Sequence, residues 1–131
     1  MLGERTGCLI AEDDGVTMKF ISRTLERAGY EIVGVVSDGE KAIGAVLELE
    51  PDFLVIDLEM PRMSGIEACR QITAIRPMPI LMISGHQDME TIEQAIAAGV
   101  TTFLTKPFLI AELLEAVQGT LERFQKPIME S

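Results

Sequence analysis

The sequence predicts a doubly wound α/β fold, a five-stranded parallel sheet with helices on both faces, and three observations predict it. Five short runs rich in Ile, Val, Leu and Phe recur along the 131 residues. Most of them are continuously apolar rather than alternating, the pattern of strands covered on both sides. Between them lie segments whose apolar residues repeat at helical spacing, so the chain reads as five consecutive βα units. Such alternation with short connections implies parallel strands joined by right-handed crossovers.

The first strand is predicted over residues 8–12 and leads into a helix on which Met18, Ile21, Leu25 and Ala28 share one face. Gly29 ends that helix, as glycine commonly does just past a helix C-terminus. The second strand, 31–36, precedes a helix over 39–49 with Asp38 as its N-cap. The third, 53–57, precedes a helix over 65–75 capped by Ser64, and the fourth, 80–84, a helix over 89–98 capped by Asp88 and closed by Gly99. The fifth, 101–105, is followed by a helix on which Leu109, Leu113, Val117 and Leu121 step by four.

The length is that of one domain, and 47% hydrophobic with 24% charged residues is an ordinary globular composition. Acidic side chains outnumber basic ones 21 to 11, a formal net charge of −10 that opposes contact of this domain with nucleic acid or an anionic membrane. Apolar runs such as 53–56 and 80–83 fall far short of the roughly 20 residues a bilayer span requires. The first seven residues carry Glu4 and Arg5 and no signal-peptide core, so a cytoplasmic protein is expected. Cys8 and Cys69 lack C-x-x-C spacing and read as reduced, buried thiols.

In an open sheet of this kind, ligands bind beyond the carboxyl ends of the strands, where strand order reverses. The first strand delivers Glu12, Asp13 and Asp14 there, the third Asp57, the fourth Ser84 and Gly85, and the fifth Thr105, Lys106 and Pro107. Converging carboxylates repel unless a cation neutralises them, and a hard divalent ion with oxygen ligands is the natural solution, Mg²⁺ fitting best. With the metal paired to Asp13 and Asp14, Asp57 is left as a carboxylate able to attack phosphorus. Lys106 then supplies a compensating cation and Ser84 a hydroxyl donor.

The joint pattern resembles a two-component response-regulator receiver domain, of the single-domain chemotaxis-regulator kind. It comprises Asp13-Asp14, the run Asp57-Leu58-Glu59-Met60-Pro61-Arg62-Met63-Ser64-Gly65, Ser84-Gly85 and Lys106-Pro107-Phe108. The resemblance covers residues 8–124, with 1–7 as an N-terminal extension and 125–131 as a C-terminal tail. It implies the flavodoxin-like strand order 2-1-3-4-5. Asp57 would be the phosphoacceptor for a sensor histidine kinase or histidine phosphotransfer protein. Mg²⁺ would be held by Asp13, Asp14, Asp57 and the backbone carbonyl of Glu59. Ser84 and Phe103 would form the switch, Lys106 would meet the phosphoryl group, and the Lys106-Pro107 bond would be cis. A downstream output protein or domain would read the switch, and the fourth helix, fifth strand and fifth helix offer a homodimer face.

Glu59, two residues past the acceptor, and His86, two past Ser84, flank the path of the hydrolytic water, so they are expected to set the lifetime of the phosphorylated form. On the first helix Val16 and Phe20 form an apolar stripe among Lys19, Arg23 and Arg27 that, with Pro107, is expected to dock the kinase. Phe20 either inserts between the partner's helices or lies flat on its own. Phe103, likewise, is either a switch residue or a core aromatic.

Three other readings compete. A phosphatase of the haloacid-dehalogenase kind also uses an aspartate nucleophile, but wants an aspartate where Glu59 stands, and extra chain for a cap. A flavin-binding protein of the same topology wants a phosphate-cradling loop where the three acids lie. A phosphorylation-independent interaction domain is the third.

Overall fold

The computed structural model describes residues 5–125 apart from Gln87, so residues 1–4 of the expected extension and 126–131 of the expected tail lie outside the described residues. The chain runs β1 (Gly7–Ala11), α1 (Gly15–Arg27), β2 (Glu31–Val36), α2 (Gly39–Leu49), β3 (Phe53–Asp57), α3 (Gly65–Ile75), β4 (Ile80–Ser84), α4 (Met89–Ala97), β5 (Thr102–Thr105) and α5 (Ile110–Gln125). All four strand pairings are parallel, and the order is β2-β1-β3-β4-β5, as the resemblance implied.

The period-2 geometry of the strands divides the core in two. Leu9, Ala11, Leu54, Ile56, Ile80 and Met82 face α2, α3 and α4, where Ala42, Val46, Cys69, Ile72 and Ala95 close over them. Cys8, Ile10, Phe53, Val55, Leu81 and Ile83 face α1 and α5, packing on Ile21, Leu25, Leu113 and Val117. The three central strands are buried at every position, which explains why they read as unbroken apolar runs. The edge strand β2 is only partly covered. Cys8 and Cys69 are free and buried, and burial pushes both thiols up, Cys69 to about 12.

Two sequence expectations shift. Ala28 is not part of the buried stripe of α1 but its exposed C-cap, because the chain turns at Gly29 with a φ of 102°. Glu12 falls just outside β1, though its N–H still bonds the carbonyl of Val36. The expected caps Asp38, Ser64 and Asp88 accept hydrogen bonds from the N–H groups of Lys41, Glu67 and Thr91.

The loop from β3 to α3 is drawn tightly against the end of its strand. Gly65 donates its N–H to the carbonyl of Leu58 at 2.8 Å, and a Cβ there would lie 2.4 Å from the carbonyl oxygen of Asp57. Only glycine permits this approach. Gly44, in α2, has open space where its Cβ would be. Gly65→Ala is therefore expected to cost about 1–3 kcal/mol in urea denaturation. Gly44→Ala is expected to add about 0.5–1 kcal/mol by lowering the entropy cost of a helix interior. Equal effects at the two positions would show that the close approach at Gly65 is relaxed at no cost.

Candidate functional site

The sheet order places the carboxyl ends of β1 and β3 side by side, with the chain leaving them in opposite directions, and the acidic residues gather in that crevice. Asp57, the last residue of β3, is 3% exposed, as is Glu12 just beyond β1. Glu12, Asp13 and Asp57 each bring one carboxylate oxygen into a group in which all lie within 4.8 Å of one another. Lys106 reaches in from the end of β5, its Nζ 3.2 Å from Asp57 Oδ2 and 3.3 Å from Glu12 Oε1. Asp57 Oδ1 accepts the N–H of Glu59 at 3.3 Å, and Glu12 Oε2 accepts that of Asp14 at 3.0 Å.

The electrostatics follow from this crowding. Burial is the largest influence on Glu12. Together with the neighbouring Asp57 charge it outweighs the Asp14 N–H and Lys106, and the carboxyl is pushed up from 4.5 to about 7. Burial works against the Lys106 ammonium too, yet the hydrogen bond to Asp57 and attraction by Asp57 and Glu12 outweigh it and hold its pKa above the ordinary lysine value. Three carboxylates against one ammonium leave a formal charge of −2 when all are ionised. Glu12 Oε1, shielded from water, makes no hydrogen bond of acceptable geometry. A buried carboxylate oxygen with only the Lys106 ammonium near it, within an all-oxygen donor set, fits a hard divalent cation.

One expectation is corrected here. The acidic pair that joins Asp57 is Glu12 and Asp13, one residue earlier than Asp13 and Asp14. Asp14 is the N-cap of α1: its Oδ2 accepts both the hydroxyl of Thr17 at 2.6 Å and the N–H of Thr17 at 2.9 Å. These bonds to the charged form hold its carboxyl below the usual aspartate value. Its place immediately before the first helical residue was itself a cap signal, and a side chain committed to a cap is turned toward the helix. Glu12 is the residue passed over, because its side chain could be placed inward only by the fold.

The remaining candidates fall around this centre. Ser84, 3% exposed at the end of β4, accepts the N–H of His86 and donates its hydroxyl to the carbonyl of His86, both at 2.8 Å. His86 and Glu59 are brought together, His86 Nδ1 lying 2.8 Å from Glu59 Oε2 on the exposed surface. Phe103 is half-buried against the core on the α2, α3 and α4 side. The Lys106-Pro107 bond is cis. Val16 is 79% exposed, but Phe20 is not: it is half-buried, its ring centroid 5.8 Å from that of Phe108. The two rings lean together because α5 packs beside α1. Phe20 and Phe108 line a groove of about 460 Å³ with Val16, Thr17, Lys106 and Pro107.

Comparison with known proteins supplies the family. Residues 8–118 match the model for the response regulator receiver domain. The chain is 35% identical over 118 residues to the transcriptional regulatory protein PdtaR of Mycobacterium tuberculosis, covering 90% of this chain and 58% of that protein. It is 30% identical to the heme response regulator HssR of Staphylococcus saprophyticus, covering 91% and 53%. The chain thus spans little more than half the length of these relatives. Among solved structures, a two-component response regulator of the LuxR family from Aurantimonas superposes with a TM-score of 0.85 at 30% identity, covering 91% of this chain and 86% of that one. The chemotaxis response regulator CheY4 of Vibrio cholerae does so with 0.84 at 29% identity, covering 90% and 100%. Among the described residues, no helix is long and apolar enough to cross a membrane.

Because the folded-state pKa of Glu12 lies above its unfolded value, folding binds a proton between about pH 4.5 and 7. The cation-free protein accordingly loses stability as pH rises through that window. Glu12→Gln removes that slope. In urea denaturation with chelator present, it is expected to be more stable than the wild type by about 1–3 kcal/mol at pH 8 and nearly equal to it at pH 4.5. A difference that did not change with pH would contradict the placement of Glu12 as a buried, crowded carboxyl.

Proposed function

The chain belongs to the response regulator receiver domain family of two-component signalling, and from that premise we propose that Asp57 accepts a phosphoryl group from the phosphohistidine of a sensor histidine kinase or a histidine phosphotransfer protein. A carboxylate oxygen of Asp57 forms a bond to phosphorus as the phosphorus–nitrogen bond of the donor breaks, and the leaving imidazole takes up a proton. Water later attacks the same phosphorus, releasing inorganic phosphate and restoring the carboxylate. A carboxylate is itself the attacking group, so no general base is needed.

The observation that supports this most directly is the position of Lys106, held between Asp57 Oδ2 and Glu12 Oε1. An ammonium so placed is able to stay with the acceptor oxygen and meet the charge arriving on the phosphoryl group. Mg²⁺ is the cation we assign to the site. Glu12, Asp13 and Asp57 would hold it, with the backbone carbonyl of Glu59 completing the protein share. Bound there, it neutralises negative charge shared by the carboxylates and the phosphoryl oxygens.

Ser84 and Phe103 carry the change outward. The Ser84 hydroxyl turns from His86 to a phosphoryl oxygen, and the half-buried Phe103 ring follows into the space released, a local electrostatic event biasing a two-state element. The face it alters is bounded by α4, which exposes Met89 and Ile96, and by β5 and α5. We assign this face to the output partner or to a second copy of the chain. Val16, Phe20 and Pro107 bound the groove beside Lys106, where the phosphate donor would dock.

The test is intact mass after incubation with acetyl phosphate and Mg²⁺. Wild type is expected to gain a single phosphoryl adduct, and Asp57→Asn none. Absence of the adduct from the wild type, or its survival in Asp57→Asn, would remove Asp57 as the acceptor.

A further inference from the structure

Five residues around the acceptor close a ring of contacts. Asp57 Oδ1 receives the N–H of Glu59 at 3.3 Å, and Glu59 Oε2 lies 2.8 Å from His86 Nδ1. The backbone of His86 brackets the Ser84 hydroxyl from both sides at 2.8 Å. The carbonyl of Ser84 accepts the N–H of Lys106 at 2.9 Å, and Lys106 Nζ returns to Asp57 Oδ2 at 3.2 Å. The ring joins the loops that follow β3, β4 and β5. Only one of its links, that between Glu59 and His86, is made by two side chains on the open surface.

That link bears on Ser84 through a count of protons. A serine hydroxyl has one hydrogen to donate. In this structure it is committed to the carbonyl of His86, and the oxygen also receives the N–H of the same residue. The hydroxyl cannot donate to a group on Asp57 without giving up that bond, and the 84–86 turn holds it there from both its N–H and its carbonyl. The imidazole of His86 is tied to the opposite loop at Glu59, so the turn moves only if the tie is broken or carried along.

We propose that the Glu59–His86 pair is a latch that positions Ser84 away from the acceptor in the unphosphorylated protein, making both residues positioning residues for the switch. The inference rests on the reading of Asp57 as the phosphoryl acceptor. It differs from a role in guiding the hydrolytic water, since it concerns the equilibrium between two placements of one hydroxyl. Opening the latch lowers the cost of turning Ser84 inward, so any ligand that draws Ser84 inward binds more tightly once the latch is removed. An exposed pair of this kind has a modest effect, on the order of two- to fivefold in an equilibrium constant.

The probe is beryllofluoride, a phosphoryl mimic, titrated at saturating Mg²⁺ and followed through the backbone amide signals of the protein by NMR. Wild type, Glu59→Ala, His86→Ala, the double variant and Ser84→Ala are compared. Both single variants are expected to bind the mimic about two- to fivefold more tightly than wild type, the double variant no more tightly than either single. Adding His86→Ala to Ser84→Ala is expected to change nothing.

A purely electrostatic effect gives a different pattern. Losing Glu59 would favour the anionic mimic, and losing the histidine would leave affinity unchanged or weaken it. Opposite or null responses of the two single variants, or additive gains in the double, would overturn the latch while leaving Asp57 as acceptor intact. Failure of the wild type itself to bind the mimic would overturn the acceptor reading and the latch with it. A variant that loses stability without any change in affinity assigns the pair a structural role only, and likewise overturns the proposal.

Discussion

The structure is organised around the confinement of like charges at one edge of the sheet. Three carboxylate oxygens within 4.8 Å of one another, two of them from buried residues, repel strongly in a medium that screens them poorly. A single ammonium balances part of that charge. Lys106 does so because β5 ends level with β3 and β4, and its chain spans the width of β4 to reach Asp57 and Glu12. Any fold that did not bring the ends of β1, β3 and β5 together would leave Asp57 and Glu12 buried without a partner. The remaining imbalance is visible as the raised pKa of Glu12, whose buried Oε1 has the Lys106 ammonium at 3.3 Å and no hydrogen bond. A site with this imbalance fits a divalent cation.

Local backbone devices make that confinement possible. The side-chain caps at Asp14, Asp38, Ser64 and Asp88 begin four of the helices immediately after loops, so that the connections stay short and the strand ends stay open. Gly65 lets the β3–α3 loop fold down on the carbonyl of Asp57 without displacing the side chain. Deeper in, the buried hydroxyls of Thr102 and Thr120 join β5 to α5, and Thr120 returns its proton to the carbonyl of Ala116. This pins the strand from which Lys106 departs. The rigid elements thus carry Asp57 and Lys106, while Ser84, Glu59 and His86 lie at strand ends and on the loops that follow them.

That division suits a signalling module. On the proposed reading, a carboxylate held by the sheet would react in one place while the loops after β3 and β4 take two arrangements around it. Energies of the size of single hydrogen bonds and exposed ion pairs decide between these arrangements. A charge added at Asp57 is large against that scale. The groove of Val16, Phe20 and Pro107 lies beside Lys106 and the α4–β5–α5 face lies away from it, so the proposed donor and reader would have separate surfaces.

The order and type of all ten elements were legible in the sequence, because strands buried on two faces must be continuously apolar and helices on a sheet must repeat at 3.6 residues. The groups placed at the strand ends were legible as well: Asp57, Ser84 and Lys106 each close or follow a run of apolar residues. Tertiary structure decided what depends on direction rather than on order. Glu12, Asp13 and Asp14 are consecutive acids, and only the path of the chain from β1 into α1 determines that Glu12 turns inward while Asp14 caps the helix. Phe20 could be read from sequence either as a docking anchor or as a ring lying flat on its helix; the loop entering α5 places Phe108 against it. Glu59 and His86 are 27 positions apart, and no periodicity joins them; the loops that carry them meet because β3 and β4 are neighbours in the sheet. Local composition sets which groups are available, whereas contacts between loops depend on distances that only the packed sheet establishes.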